Sequence, residues 1–145
     1  MYISTRGNYH PVPASEAIRL GMVPQGGLFV PEEIPILDKS KIKGMSEQSY
    51  GEVAQTILEL FLDDFTPEEI RDIIHKSYNE KNFDHPDIAP LVKLDSETYI
   101  LELWHGPTAA FKDMALQIMP RLLTKSVEKT GSKKELHKPL AYNKI

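Results

Sequence analysis

Two helix-start signals in close succession constrain the fold of this chain more than any other feature. Ser49 stands three residues before Glu52, and Thr66-Pro67-Glu68-Glu69 repeats the arrangement with a proline added. In each, the hydroxyl can accept the N–H of the third helical residue while the carboxylate reaches back to the cap N–H, so two orphaned donors are satisfied. Pro67 suits the first helical position, where a missing N–H costs nothing, and Glu68 and Glu69 favour the positive end of the helix dipole. Tyr50, Val53, Ala54, Ile57, Leu58 and Phe61 recur at helical spacing, which predicts a helix to about Leu62. Ile70, Ile73, Ile74 and Tyr78 mark the apolar face of the next helix. The chain is built around a helical pair.

Other elements follow from punctuation. Ser15 to Leu20 reads as a short helix closed by Gly21, and Pro24-Gln25-Gly26-Gly27 as a turn into a strand at Leu28-Phe29-Val30, ended by Pro31 and Pro35. Asn79 to Pro90 is polar and carries Pro86 and Pro90, so it reads as a linker, with a domain boundary between residues 83 and 84. Leu91 to Leu94 and Tyr99 to Leu103 read as a hairpin around Asp95-Ser96-Glu97. From Thr108 a helix carries Phe111, Met114, Leu116, Ile118, Leu122 and Leu123, apolar on nearly every side and therefore expected to be buried. Pro120 predicts a kink or break within it.

Composition excludes several classes. Hydrophobic residues at 41% and charged residues at 26% of 145 suit a globular chain with its own core. Val53 to Leu62 and Met114 to Leu123 are too short and too interrupted to span a bilayer, so no membrane partner is expected. The absence of cysteine removes disulfides, thiolate metal sites and thiol nucleophiles. His10, His75, His85 and His137 show no ligand spacing, and no metal is expected. A net charge of -4 gives no general attraction to nucleic acid, and the lysines from Lys125 to Lys144 read as a solvated helix end and tail. Met1 to Arg6 lacks the basic and apolar regions of a secretory signal, which points to the cytoplasm. The acid pairs Glu32-Glu33, Asp63-Asp64 and Glu68-Glu69 read as caps and turns, because adjacent side chains point apart.

Chemistry concentrates at His105-Gly106-Pro107-Thr108-Ala109-Ala110-Phe111-Lys112-Asp113. A lysine near the start of a buried helix is either desolvated and close to positive backbone dipoles, both of which favour the neutral amine that condenses with an aldehyde, or a solvated side chain reaching past apolar neighbours. Asp113 is either an orienting carboxylate or an ordinary first-turn acid, and Thr108 either a cap or a ligand. His105 either contacts a substrate phosphate or satisfies the turn. Arg6, beside Ser4 and Thr5, either binds a phosphate or forms a salt bridge.

The motif around Lys112 resembles the cofactor-lysine motif of the threonine synthase family. Ser4-Thr5-Arg6-Gly7, Gly26-Gly27-Leu28-Phe29-Val30-Pro31, Ala89-Pro90-Leu91 and Leu101-Glu102-Leu103-Trp104 are similar to other landmarks of that family, in the same order. The resemblance covers Met1 to about Lys134. It implies the α/β fold of pyridoxal phosphate enzymes of fold type II, represented here by an α+β N-terminal domain at 1–83 and the first strands and helix of the cofactor domain at 84–135. It implies pyridoxal 5'-phosphate as cofactor, Lys112 as the catalytic and cofactor-binding residue, and O-phosphohomoserine and water as substrates for threonine and phosphate. His105, Thr108, Phe111, Asp113 and Arg6 are the further candidates for contacts around the site. Two other readings are a related phospholyase that releases a keto acid and a non-catalytic helical contact module. Gln25 replaces the usual aspartate, a turn substitution of small consequence. Residues 136–145 do not resemble the family's next strand and are expected to be an atypical tail. The phosphate-cradling loop is not in the sequence, so low activity and self-association of the chain are expected.

Overall fold

The computed structural model describes residues 1–131. Strand β1 (Tyr2–Ser4) pairs antiparallel with β2 (Phe29–Pro31) in the register Ile3 to Val30. Helix α1 (Ala14–Leu20) lies between them in sequence and ends at Gly21, whose φ of 70° suits a residue without Cβ. Helices α2 (Lys39–Gly44), α3 (Tyr50–Phe61) and α4 (Pro67–Ser77) follow. Strands β3 (Leu91–Lys93) and β4 (Tyr99–Leu101) form a second antiparallel pair, then come α5 (Asp113–Leu116) and α6 (Met119–Thr130). Strand β1 and helix α2 carry no periodic signal long enough to be read from sequence.

Both capping boxes form as the sequence predicts. Ser49 accepts the Glu52 N–H while Glu52 accepts the Ser49 N–H, and Thr66 and Glu69 repeat the exchange. Helices α3 and α4 thus start where local chemistry places them. Ile70, Ile73 and Ile74 enter one cluster with Ala14, Leu62, Phe65, Ile118 and Leu122. Each fully buried aliphatic side chain contributes about 1.5–3 kcal/mol.

That cluster joins residues from both sides of the boundary expected at 83/84, since α6 packs against α1. The segment before the hairpin does more than link: Phe83 and Ile88 are buried. Burial holds Ile88 at a φ of 63°, a conformation that β-branched residues avoid.

Electrostatics tie the same elements together. The acid pair Asp63-Asp64 caps a helix distant in sequence: Asp63 accepts the Ala14 N–H at 2.9 Å and Asp64 the Ser15 N–H at 3.1 Å. Two lysines expected to be solvated are instead engaged. Lys129 Nζ lies 2.7 Å from Glu69 and over the Phe65 ring, while Lys125 pairs with Glu128 at 2.8 Å. Lys133, Lys134, Lys138, Lys144 and the tail at 136–145 lie outside the described residues.

The long buried helix expected from Thr108 does not form. Residues 106–112 make successive turns, α5 begins only at Asp113, and α6 starts afresh at Met119 with Pro120 in its first turn. The break at Pro120 agrees with the missing donor of proline, but burial follows only in part: Ile118 and Leu122 enter the core, whereas Phe111 is 66% exposed and Met119 49%. The apolar hairpin is likewise exposed on all six strand residues.

Candidate active site

The loop around Lys112 is shaped by one buried carboxylate. Asp113 is 1% exposed and accepts the Thr108 N–H at 2.8 Å and the Thr108 hydroxyl at 2.9 Å. Thr108 is therefore neither the helix cap nor a free ligand but a donor to Asp113. The carboxylate lies so close to Gly106 that a Cβ there would fall 2.4 Å from the Asp113 Cβ, so only glycine fits. Ala109, whose N–H donates to the Gly106 carbonyl, adopts a φ of 54° and completes the tight turn.

Behind this loop, the Tyr78 hydroxyl donates to the Met114 carbonyl at 2.7 Å, which fastens α5 to the end of α4. Burial pushes the Tyr78 phenol well above the ordinary tyrosine range, so it remains a donor. In front of it, the His105 ring lies between two carboxylates, with Nδ1 2.7 Å from Asp84 and Nε2 2.7 Å from Glu102. The bond to Glu102, then that to Asp84, raises the His105 pKa above the usual histidine value. With both ring nitrogens occupied, His105 is not free to take a substrate phosphate.

Lys112 is the residue just before α5, and it is solvent-exposed rather than buried as expected. Its amine makes no hydrogen bond or ion pair among the described residues. Phe111 beside it is equally open. The motif thus presents a free amine and an aromatic ring on a loop whose backbone is fixed by Asp113.

Arg6 lies elsewhere. Its side chain covers the turn at Gly26 and Gly27, where an added Cβ would approach the guanidinium Nη1 to 3.1 Å or Cγ to 3.3 Å. Thr5 locks the same turn through a hydrogen bond from the Leu28 N–H at 3.0 Å. No carboxylate among the described residues pairs with Arg6, so the salt bridge weighed for it is not formed. No hydrogen bond joins Arg6 to the Lys112 loop. Tyr78 and Glu102 were visible only as an apolar-face residue and part of a family landmark, and Asp84 carried no sequence signal: it meets His105 across 21 positions, and only folding brings them together. Among the described residues no group of three or more acids and histidines is arranged to hold a metal ion.

A sequence profile described as "Threonine synthase N terminus" matches residues 1–78. The chain belongs to the threonine synthase family. It is 38% identical over 128 residues to a threonine synthase of Methylobacillus glycogenes, which covers 83% of this chain and 27% of the relative. A Xenopus laevis protein named threonine synthase-like 2 is 36% identical, covering 84% of this chain and 26% of the relative. Among solved structures, a PLP-bound threonine synthase from Brucella melitensis superposes with a TM-score of 0.83 at 34% identity, over 90% of this chain and 28% of that one. The chain thus spans about a quarter of the length of the threonine synthases it matches. Among the described residues no helix is long and apolar enough to cross a membrane.

Proposed function

We propose that this chain provides the coenzyme-attachment segment of a pyridoxal-phosphate-dependent lyase that converts O-phospho-L-homoserine and water to L-threonine and phosphate. The observation that carries the reading is the exposed Lys112 amine, without a partner among the described residues, set in a family-like motif on a loop held by a buried aspartate. The residues present suit the attachment end of the coenzyme: a free primary amine, an open aromatic ring at Phe111, and a backbone that cannot drift while Asp113 holds Thr108. When bound, pyridoxal phosphate supplies an electron sink that side chains lack.

Lys112 would hold the coenzyme and, once freed by substrate, carry protons at its Nζ. Asp113 and Thr108 would position that amine, and His105 would brace the loop from the other side. Arg6 remains a candidate for a phosphate through its guanidinium, which no carboxylate among the described residues pairs. Residues 1–83 as a helical unit, 84–135 as the opening of a coenzyme domain, and a cytoplasmic site of action belong to the same reading. The Lys112 side chain is open to solvent, so the chain by itself would hold the coenzyme loosely and turn over little substrate. A second reading, kept from the family resemblance, is a related phospholyase that releases a keto acid.

Borohydride reduction of the chain with pyridoxal phosphate, followed by peptide mapping, tests the assignment. Label on Lys112 that is lost in Lys112→Ala is the expected result. Label spread evenly over Lys125, Lys129 and the tail lysines would overturn it.

A further inference from the structure

We propose that Asp84, His105 and Glu102 form a proton-dependent strut: the doubly protonated His105 ring bridges the segment before β3 to the end of β4, and loss of one ring proton loosens the loop carrying Lys112. The strut is a property of this chain's own fold and does not rest on coenzyme binding.

The geometry allows few protonation states. A neutral imidazole has one N–H and one lone pair, and a lone pair 2.7 Å from an ionised carboxylate oxygen is repelled. Two such contacts at once require two N–H donors, so the resting state at neutral pH is imidazolium between Asp84 and Glu102. Both bonds are charge-assisted, the stronger class of hydrogen bond. A further bond, from the Asp84 N–H to the His105 carbonyl at 3.0 Å, joins the same two segments through the backbone.

The charged surroundings are simple. Asp84 faces the ring from the segment before β3 and Glu102 from the end of β4, and among the described residues neither pairs with a lysine or arginine. The His85 ring stands 5.0 Å away, with its own Nδ1 accepting the Asp87 N–H and the Asp87 carboxylate 4.0 Å off. Trp104 flanks the ring at 5.8 Å, and the His105 side chain is only 14% exposed. Because Glu102 and Asp84 raise the His105 pKa, the strut's stabilisation is complete below the ordinary histidine value and is lost as pH rises through the raised one. Gly106 follows His105 directly and carries the turn closed by Ala109 and Asp113. Movement at His105 therefore reaches Lys112 through a tight turn with little slack.

Long-range imidazole 1H–15N correlation spectra of the whole chain, recorded from about pH 5 to about pH 9, test the strut, with His105 assigned by the loss of its signals in His105→Gln. The expected result is two protonated ring nitrogens at neutral pH and a midpoint above about 6.5, lowered in Asp84→Asn and in Glu102→Gln. Backbone amides of Gly106 and of residues 108–113 should shift with that same midpoint while those of α3 and α4 do not, a coupling that simple loss of stability would not produce. After correction for intrinsic exchange, their protection should fall about tenfold across the transition. A midpoint at or below the ordinary value, a midpoint unmoved in both carboxylate variants, or loop amides that ignore the titration would each overturn the proposal.

Discussion

Ile70 and Leu91 stand for two regions of similar composition and opposite fate. Around Ile70, helices α1, α3, α4 and α6 close on one another and leave it 1% exposed. Around Leu91, 63% exposed, a hairpin of comparable apolar content has nothing over either face among the described residues. The difference lies in how each is held. The first region is secured by burial, with caps and ion pairs at its margins. Beyond the anchors Phe83 and Ile88, the second is secured chiefly by polar contacts: Asp84–His105–Glu102 at one end and Thr108–Asp113 in the loop. An isolated two-stranded ribbon is marginal in water. The chain therefore places Lys112 in a part that is ordered largely by directional bonds and, among the described residues, left open on its apolar side.

The sharpest way to break this contrast is a matched pair of truncations. Ile70→Ala should cost about 2–5 kcal/mol in denaturant unfolding, whereas Leu91→Ala should change stability by less than about 0.5 kcal/mol. Equal losses would mean that the hairpin is buried in solution. Gly106→Ala comes next, because the added Cβ displaces the Asp113 carboxylate. It should cost about 1–3 kcal/mol and lower labelling of Lys112 by pyridoxal phosphate, where Gly44→Ala, with open space around it, should leave labelling unchanged.

A gain is expected at Ser126, whose hydroxyl is fully buried on α6 without a partner among the described residues. Ser126→Ala should stabilise the chain by about 1 kcal/mol in thermal unfolding. The ion pair at the core's margin should matter least. Desolvation pushes the Glu69 carboxyl up, but the Lys129 ammonium and the Thr66 N–H outweigh it and hold it below the ordinary range. Its stabilisation is present above the unfolded pKa and fades as pH falls through the folded one. Lys129→Met should lose about 0.5 kcal/mol at neutral pH and show a flatter acid limb. For the open region, sedimentation velocity should reveal self-association that Leu91→Ser and Leu101→Ser together reduce. A monomer at every concentration would show that the exposed face is tolerated.

Much of this was legible in the chain because it is local. The Ser49–Glu52 and Thr66–Glu69 boxes exchange bonds over three positions, so residue identity and spacing suffice to predict them. The hairpin at 91–101 and the break at Pro120 follow from turn residues and a missing N–H. The motif around Lys112 was equally visible, but its conformation was misjudged. Apolar residues at helical spacing from Phe111 onward suggested a buried helix, yet the Asp113 side chain turns back onto the Thr108 N–H and holds residues 106–112 in turns. A residue that reads as a first-turn acid thus became the organiser of the loop before the helix.

Short-range hydrogen-bond chemistry and period, written in the order of residues, settled where α3, α4 and the hairpin begin and that a lysine of a recognisable kind follows them. Only the folded arrangement decided that Asp63 and Asp64 cap α1, that Glu69 meets Lys129, that His105 lies between Asp84 and Glu102, and that Lys112 faces solvent. Those contacts join residues far apart along the chain, and their partners are chosen by packing geometry, which no window of neighbouring residues encodes.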